Sequence, residues 1–343
     1  MRRTLTALAA AALLLATGAC GTGAASGRAD PDRKTIRIAY QAFPSGDLIV
    51  KNRKLLEKAL PGYEITWTKF DSGASINTAF VAKSIDIAAI GSSPVARGLS
   101  APLNIPYQVG FVLDVAGDNE ALVARNGSGI TDVAGLRGKK VATSFASTSH
   151  YSLLAALEQA GVAEKEVTVV DLEPQDIQAA WARGDLDAAY TWLPVLDEIK
   201  KNGKVLISSR QLATAGKPTL DLGVLSTAFA QAHPDAVDAW RKAESQALDV
   251  IHNDPATAAT AIGQELNLSP EDAQHQLSQG VYLKPADLAS DEWLGTEAKV
   301  GKLADNLLSA ARFLKDQQKI DAVPDLATVQ KAVYVKGLPD ALS

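Results

Sequence analysis

Three times in this chain a short apolar run ends in small hydroxyl residues: Ile90-Gly91-Ser92-Ser93-Pro94, Phe70-Asp71-Ser72-Gly73-Ala74-Ser75, and Ser144-Phe145-Ala146-Ser147-Thr148-Ser149-His150-Tyr151. Each reads as a strand running into a helix, with Ser93 placed at an N-cap and Pro94 at the first helical position. Free backbone N–H groups, the positive end of a helix dipole and adjustable hydroxyl donors are the chemistry of anion binding. Capping alone accounts for any one of these segments; three at corresponding strand ends point to an anion held in a cleft. Two further residues suit the other end of a small zwitterion. Asp221, in Pro218-Thr219-Leu220-Asp221-Leu222, can accept hydrogen bonds from an ammonium group, or serve as an N-cap or surface acid. Trp192, two residues before Pro194, can cover a ligand's methylenes or a cation, or simply pack in the core.

Catalytic signatures are absent from the rest of the sequence: there is no GxSxG, P-loop, HExxH or EF-hand loop. Gly21-Thr22-Gly23 follows no strand and is not a dinucleotide loop. The four histidines, His150, His233, His252 and His275, lack metal-ligand spacing, so neither a metal nor any other cofactor is expected. A single cysteine excludes an internal disulfide framework or an iron–sulfur cluster within one chain. The formal charge of −5 argues weakly against nucleic acid as a partner, because phosphate binding needs clustered Lys and Arg. With 47% apolar and 21% charged residues over 343 positions, the chain can bury a sizeable core, and two lobes suit its length.

The elements that must position these residues follow from periodicity. Strands are expected at Ile36–Tyr40, Glu64–Phe70, Ile85–Ile90, Glu120–Arg125, Lys140–Ser144, Val167–Val170 and Leu186–Thr191. Helices are expected at Asp47–Leu60, Ala74–Lys83, His150–Ala160 and Pro174–Arg183. Alternation of this kind means largely parallel sheets flanked by helices, with ligands beyond the carboxyl ends of the strands. The chain also repeats itself. Residues 75–94, SINTAFVAKSIDIAAIGSSP, align without a gap on residues 175–194, QDIQAAWARGDLDAAYTWLP, matching Ala79, Ala82, Ala88, Ala89 and Pro94 to Ala179, Ala182, Ala188, Ala189 and Pro194. Two equivalent lobes facing each other would follow. After Leu222 the sequence turns helical, with packing stripes at Val237, Trp240, Leu248 and Ile251, and at Val300, Leu303, Leu307, Ala311 and Leu314. This tail is expected to return and wrap the first lobe.

The amino terminus reads as an address. Met1-Arg2-Arg3 is a basic n-region, and the apolar run from Leu5 to Ala16 is too short to span ~30 Å of hydrocarbon. It ends in Ala16-Thr17-Gly18-Ala19-Cys20, which resembles a bacterial lipobox, with Thr17 where Leu is usual. Residues 1–19 are then a signal peptide, and residues 20–34 an acylated Cys20 followed by a flexible Gly/Ser/Ala tether. The alternative is an ordinary signal peptide cut near Ala19. Cleavage removes Arg2 and Arg3 and leaves the mature chain more acidic. No later stretch approaches ~18 uninterrupted apolar residues, so the remainder is expected to be soluble.

Taken together, the strings AYQ (Ala39 to Gln41), KFDSGASI (Lys69 to Ile76), GSSP (Gly91 to Pro94), EALV (Glu120 to Val123), STSHYSLLAAL (Ser147 to Leu157), AWARGDLDAAYTW (Ala180 to Trp192) and PTLD (Pro218 to Asp221) carry a family likeness. The sequence resembles the periplasmic taurine-binding proteins of ABC importers, within the nitrate, sulfonate and taurine group of type II solute-binding proteins. The likeness extends from about Thr35 to about Ile320. It implies an α/β, two-lobed periplasmic-binding-protein-like fold of type II, each lobe a mixed, mostly parallel sheet flanked by helices, with two crossovers. Lobe one would comprise Thr35–Ala121 plus Gly223–Ser343, and lobe two Leu122–Leu222. The resemblance implies a sulfonate held by Ser92, Ser93, Ser147, Thr148 and His150, an ammonium held by Asp221, and a cleft lined by Gln41, Glu120 and Trp192.

It further implies a monomeric, non-enzymatic binding protein on the extracytoplasmic side of the membrane. This protein would deliver taurine or a related sulfonate to an ABC permease and its ATPase subunits, touch the membrane only through a lipid anchor, and contact no nucleic acid. Phe43-Pro44-Ser45-Gly46 and Ser149 depart from the family's usual residues. An alkanesulfonate or nitrate is the alternative ligand. Thiamin pyrimidine-precursor synthases share the fold class, but they use a cysteine-rich motif, and this chain has no cysteine after Cys20.

Overall fold

The computed structural model describes residues 34–342; the expected signal peptide, Cys20 and all of the expected tether but Lys34, which opens the first strand, lie outside the described residues. Ten strands form two five-stranded sheets. The first contains β1 (Lys34–Gln41), β2 (Tyr63–Phe70), β3 (Ile87–Gly91), β4 (Tyr107–Val115) and β10 (Leu220–Ser226), in the order β2-β1-β3-β10-β4. The second contains β5 (Glu120–Arg125), β6 (Lys140–Thr143), β7 (Thr168–Asp171), β8 (Ala188–Trp192) and β9 (Gly203–Ser208), in the order β7-β6-β8-β5-β9.

Both sheets follow one plan. In each, three strands run parallel, and the last two are antiparallel to their neighbours. The middle strands β3 and β8 are fully or almost fully apolar and buried, as a strand covered on both faces must be. The internal repeat has its physical counterpart here. Helix α3 (Gly73–Val81) leads into β3 and on to α4 (Ser92–Leu99); in the second sheet α6 (Pro174–Arg183) leads into β8 and on to α7 (Val195–Lys200), with α5 (Thr148–Gln159) between β6 and β7. Ala88 pairs with Ala39 and Val224, while its repeat mate Ala188 pairs with Val141 and Ala124, the same two kinds of neighbour.

The strand antiparallel to each middle strand comes from a crossover. The chain leaves the first sheet after Val115 and returns at Leu220. The lobe limits drawn from the sequence, Ala121/Leu122 and Leu222/Gly223, fall inside β5 and β10. β5 sits wholly in the second sheet, and β10, including Asp221, wholly in the first.

The expected helix Asp47–Leu60 is two helices, α1 (Gly46–Asn52) and α2 (Leu55–Ala59). They are separated by a turn in which Lys54 adopts the left-handed conformation at φ 53°. That turn lets Leu56 join Leu48, Ile49 and Val50 in the core. After β9, α8 (Ser209–Thr214) leads to β10, and the helical tail follows as α9 (Thr227–Ala232), α10 (Pro234–Asn253), α11 (Pro255–Leu266), α12 (Pro270–Leu277) and α13 (Leu303–Asp316).

Both tail stripes are packing. Val237, Trp240 and Leu248 on α10, and Leu303, Leu307, Ala311 and Leu314 on α13, are buried. Trp240 lies across adjacent strands where Gly110 and Gly223 leave room: a Cβ on Gly223 would sit 2.6 Å from the indole, and one on Gly110 3.0 Å. Helix α10 packs on α1, and α13 packs on α4 of the first lobe. Phe313 of α13 also meets Tyr151 of α5 edge to face, with ring centroids 4.7 Å apart. Among the described residues no helix is long and apolar enough to cross a membrane.

Candidate functional site

The carboxyl ends of β1 and β3 in one lobe, and of β6 and β8 in the other, meet at a cleft. It is lined by Gln41, Phe43, Pro44, Gly73, Gly91, Pro94, Ala116, Asn119, Glu120, Ser147, Thr148, Trp192, Leu193 and Asp221. Six of the residues expected at the site come together here: Gln41, Glu120, Ser147, Thr148, Trp192 and Asp221. Ser92, Ser93 and His150 are not among the lining residues.

Helix starts crowd one side of the cleft. β3 passes into α4 with no intervening loop, so Gly91, not Ser93, is the N-cap, and Pro94 is the third helical residue. Ser92 and Ser93 are therefore inside the first turn, both 2% exposed, and Ser92 Oγ accepts the backbone N–H of Leu220 at 3.1 Å. Ser147 is the N-cap of α5: its Oγ accepts His150 N–H at 3.1 Å and donates to Ser144 O at 2.6 Å. At α3 the backbone N–H of Ser72 donates to Ser75 Oγ at 3.3 Å.

His150 is tied into the turn through one ring nitrogen, while its Nε2 is buried with no hydrogen-bond partner among the described residues. Its Nδ1 accepts Ala146 N–H at 3.1 Å, and its ring stacks on Phe145 with centroids 4.5 Å apart. Burial, with Lys319 and Arg97 nearby, lowers it to about 4, so it is neutral at physiological pH.

Glu120 lines the cleft, yet its oxygens are already occupied. Oε2 accepts from Thr148 Oγ1 at 2.5 Å and Ser149 Oγ at 3.0 Å; Oε1 accepts from Ser209 Oγ at 2.6 Å and Ser152 Oγ at 3.2 Å. Tyr190 and Ser209 share a further hydroxyl contact at 3.0 Å. Burial raises Glu120 above the usual carboxylate range, and the four hydroxyl donors partly offset this. Glu120 thus fixes the start of α5 rather than offering a free acceptor. The hydroxyls of Ser149, Ser152 and Ser209 carried no sequence signal apart from the serine-rich run before Tyr151.

The opposite side is acidic. Asp221 lies within β10 and not at a helix N-cap, and is the register partner of Gly91 on one side and Asp114 on the other. Burial first, then Glu120 and Asp47, push Asp221 up to about 8. Asp47 is itself raised to about 6 by burial, although Ser45 donates to it. Gln41, at the end of β1, donates from Nε2 to Ala89 O at 3.2 Å, which holds its amide against the cleft wall. Trp192 closes the rim and is half-buried. The departing residues Phe43 and Pro44 line the floor, with Tyr282 donating its hydroxyl to Pro44 O at 2.8 Å.

A hydrogen-bonded bridge joins the lobes beside the cleft. Glu173 accepts Ser72 Oγ from the first lobe at 2.8 Å and Ser144 Oγ from the second at 2.9 Å. Lys319, in the turn after α13, reaches Glu164 of the second lobe at 2.9 Å. Among the described residues no cluster of three or more potential metal ligands occurs.

Comparison with known proteins agrees with this architecture. The family model described as NMT1/THI5 like matches residues 109–258. The chain is 35% identical to the taurine-binding periplasmic protein of Escherichia coli (strain K12) over 297 residues, 84% of this chain and 88% of that protein. Among solved structures it resembles the alkanesulfonate-binding protein SsuA from Xanthomonas axonopodis pv. citri bound to MOPS, with TM-score 0.74 and 22% identity over 90% of this chain and 100% of that one. It also resembles the periplasmic aliphatic sulphonate binding protein SsuA from Escherichia coli, with TM-score 0.70 and 22% identity over 87% and 92% of the two chains. The two structural likenesses establish the two-lobed fold. The sequence identity, sustained over most of both chains, establishes more: this chain belongs to the family of periplasmic taurine- and sulfonate-binding proteins of ABC importers.

Proposed function

We propose that this protein captures taurine, or a close aminosulfonate, between its lobes and delivers it to an ABC permease. The observation that carries this reading is the pairing, in one cleft, of converging helix starts with an acidic wall at Asp221 that forms no ion pair with a Lys or Arg of the described residues. A sulfonate is matched by the N-terminal ends of α4 and α5, with Ser147 and Thr148 at the latter, through dipoles and backbone N–H groups. An ammonium is matched by Asp221, and Trp192 covers the methylenes between them. A purely anionic ligand such as nitrate or an alkanesulfonate would leave the acidic wall without a partner. Ser92, Ser93 and His150 shape and rigidify the turns rather than supplying the main contacts, and Gln41 and Glu120 frame the walls.

Binding here means closure. Ligand stabilises the closed arrangement of the lobes, and the permease distinguishes that arrangement from the open one. The export signal supports an extracytoplasmic location, and Cys20 would be the point of acylation. The protein is proposed to act as a monomer with no cofactor, and as a binding protein rather than an enzyme.

Calorimetry on the Asp221→Ala variant tests the assignment of the two ends. Taurine affinity should fall much further than that of ethanesulfonate, which has no amine. Equal losses for the two ligands would give Asp221 a structural role.

A further inference from the structure

Behind Asp221 stands a second carboxyl group that no contact with a sulfonate would require. Asp114 on β4 is the register partner of Asp221 across the antiparallel pair β10 and β4. It is 0% exposed, next to last in β4 after the apolar run Phe111-Val112-Leu113, and neither oxygen receives a hydrogen bond from an N–H or hydroxyl group of the described residues. The partner within its reach is the carboxyl of Asp221. Two carboxyl groups bond to each other only while at least one holds a proton.

The surroundings offer the pair little positive charge. Glu120 from β5 and Asp47 from α1 face it, with the hydroxyl of Tyr282 from the segment after α12. Glu244 of α10 stands behind Asp47, and Lys51 acts on Asp47. Like charges at this spacing in a buried site are not ionised together.

We propose that Asp114 is a specificity-determining residue. In this role it governs the charge of Asp221, so that an arriving R–NH3+ group drives one proton from the pair into solution while Asp114 keeps its own proton and donates it to Asp221. A ligand with an uncharged end leaves both protons in place. The inference rests on the ammonium-binding role of Asp221 proposed above and adds a mechanism for choosing between an aminosulfonate and its neutral-ended analogues. Burial raises both carboxyls, Asp221 to about 8, and their mutual hydrogen bond raises Asp114 while lowering Asp221, so at neutral pH the free pair is largely uncharged and Asp114 is the proton donor within it. Below about pH 8, taurine affinity should therefore improve about tenfold per pH unit, because each complex releases one proton.

The test is calorimetry of the mature wild-type protein at about pH 7 in two buffers of different ionisation enthalpy. Taurine should release about one proton and ethanesulfonate none. In Asp114→Asn the amide supplies a permanent donor, Asp221 is already ionised, and proton release by taurine should drop towards zero with a flattened pH profile. Should that variant not fold, the wild-type contrast between the two ligands decides the matter alone. Taurine binding with the same enthalpy in both buffers overturns the inference and leaves the functional reading standing. No binding of taurine rejects that reading and the inference with it.

Discussion

Gly91 of the first lobe lies so close beneath Thr148 of the second that a Cβ at position 91 would stand 2.6 Å from the Thr148 methyl carbon. The backbone at Gly91, φ −65° and ψ 153°, suits any residue, so the glycine is required by the approach of the lobes and not by its own conformation. The two residues mark where the starts of α4 and α5 meet across the cleft.

Gly91→Ala should therefore hinder closure while leaving each lobe folded. Overpacking of this kind costs about 1–3 kcal/mol, which corresponds to roughly a 5- to 150-fold loss of affinity. Thr148→Ser removes the methyl group and keeps the hydroxyl on Glu120, so the double variant should recover most of the loss. Calorimetry of the three variants checks this; additive losses would place the defect elsewhere.

Glu120 is the anchor of the second lobe's rim. Replacement by Ala strands the hydroxyls of Thr148, Ser149, Ser152 and Ser209 in a buried site, at a cost of about 2–4 kcal/mol in unfolding free energy. Gln keeps one acceptor oxygen and should lose less. Urea denaturation distinguishes the two, and an Ala variant as stable as wild type would contradict the role.

The acidic wall should also mark the stability of the ligand-free protein. Asp221 is raised to about 8 by burial, above its unfolded value, so its contribution is full at low pH and is lost as pH rises through about 8. His150 works in the opposite sense: lowered to about 4, it loses stability only as pH falls below about 6.5, so it is silent above that. Thermal midpoints should then fall between about pH 6.5 and 8.5, and Asp221→Asn should flatten the decline. A wild-type midpoint that rises across this window would contradict the buried-acid account.

Much of this was legible in the sequence, for identifiable reasons. Alternation and length located β5 (Glu120–Arg125) and α6 (Pro174–Arg183) to the residue, and the repeat at residues 75–94 and 175–194 announced two equivalent sheets. The other antiparallel strands, β4, β9 and β10, were harder. β10 is paired with β3 and β4, partners more than a hundred residues away, and its short apolar run gives no period of its own, so the sequence places Asp221 only as following a Pro/Gly-containing loop. Asp114 was invisible for the same reason, since one acid in Phe111-Val112-Leu113-Asp114-Val115 signals nothing until its strand neighbour is known. The break at Lys54 carries neither Gly nor Pro. Ser93 lost the cap position because β3 continues to Gly91 and leaves no loop before α4.

The central claim is that the cleft reads both ends of an aminosulfonate. Its most direct test is calorimetric titration of the mature wild-type protein with taurine, ethanesulfonate and nitrate at one pH above about 8, where the acidic wall is charged. The account predicts that taurine binds at least tenfold more tightly than ethanesulfonate, with nitrate weaker still. Ethanesulfonate binding as tightly as taurine, or more tightly, would contradict it.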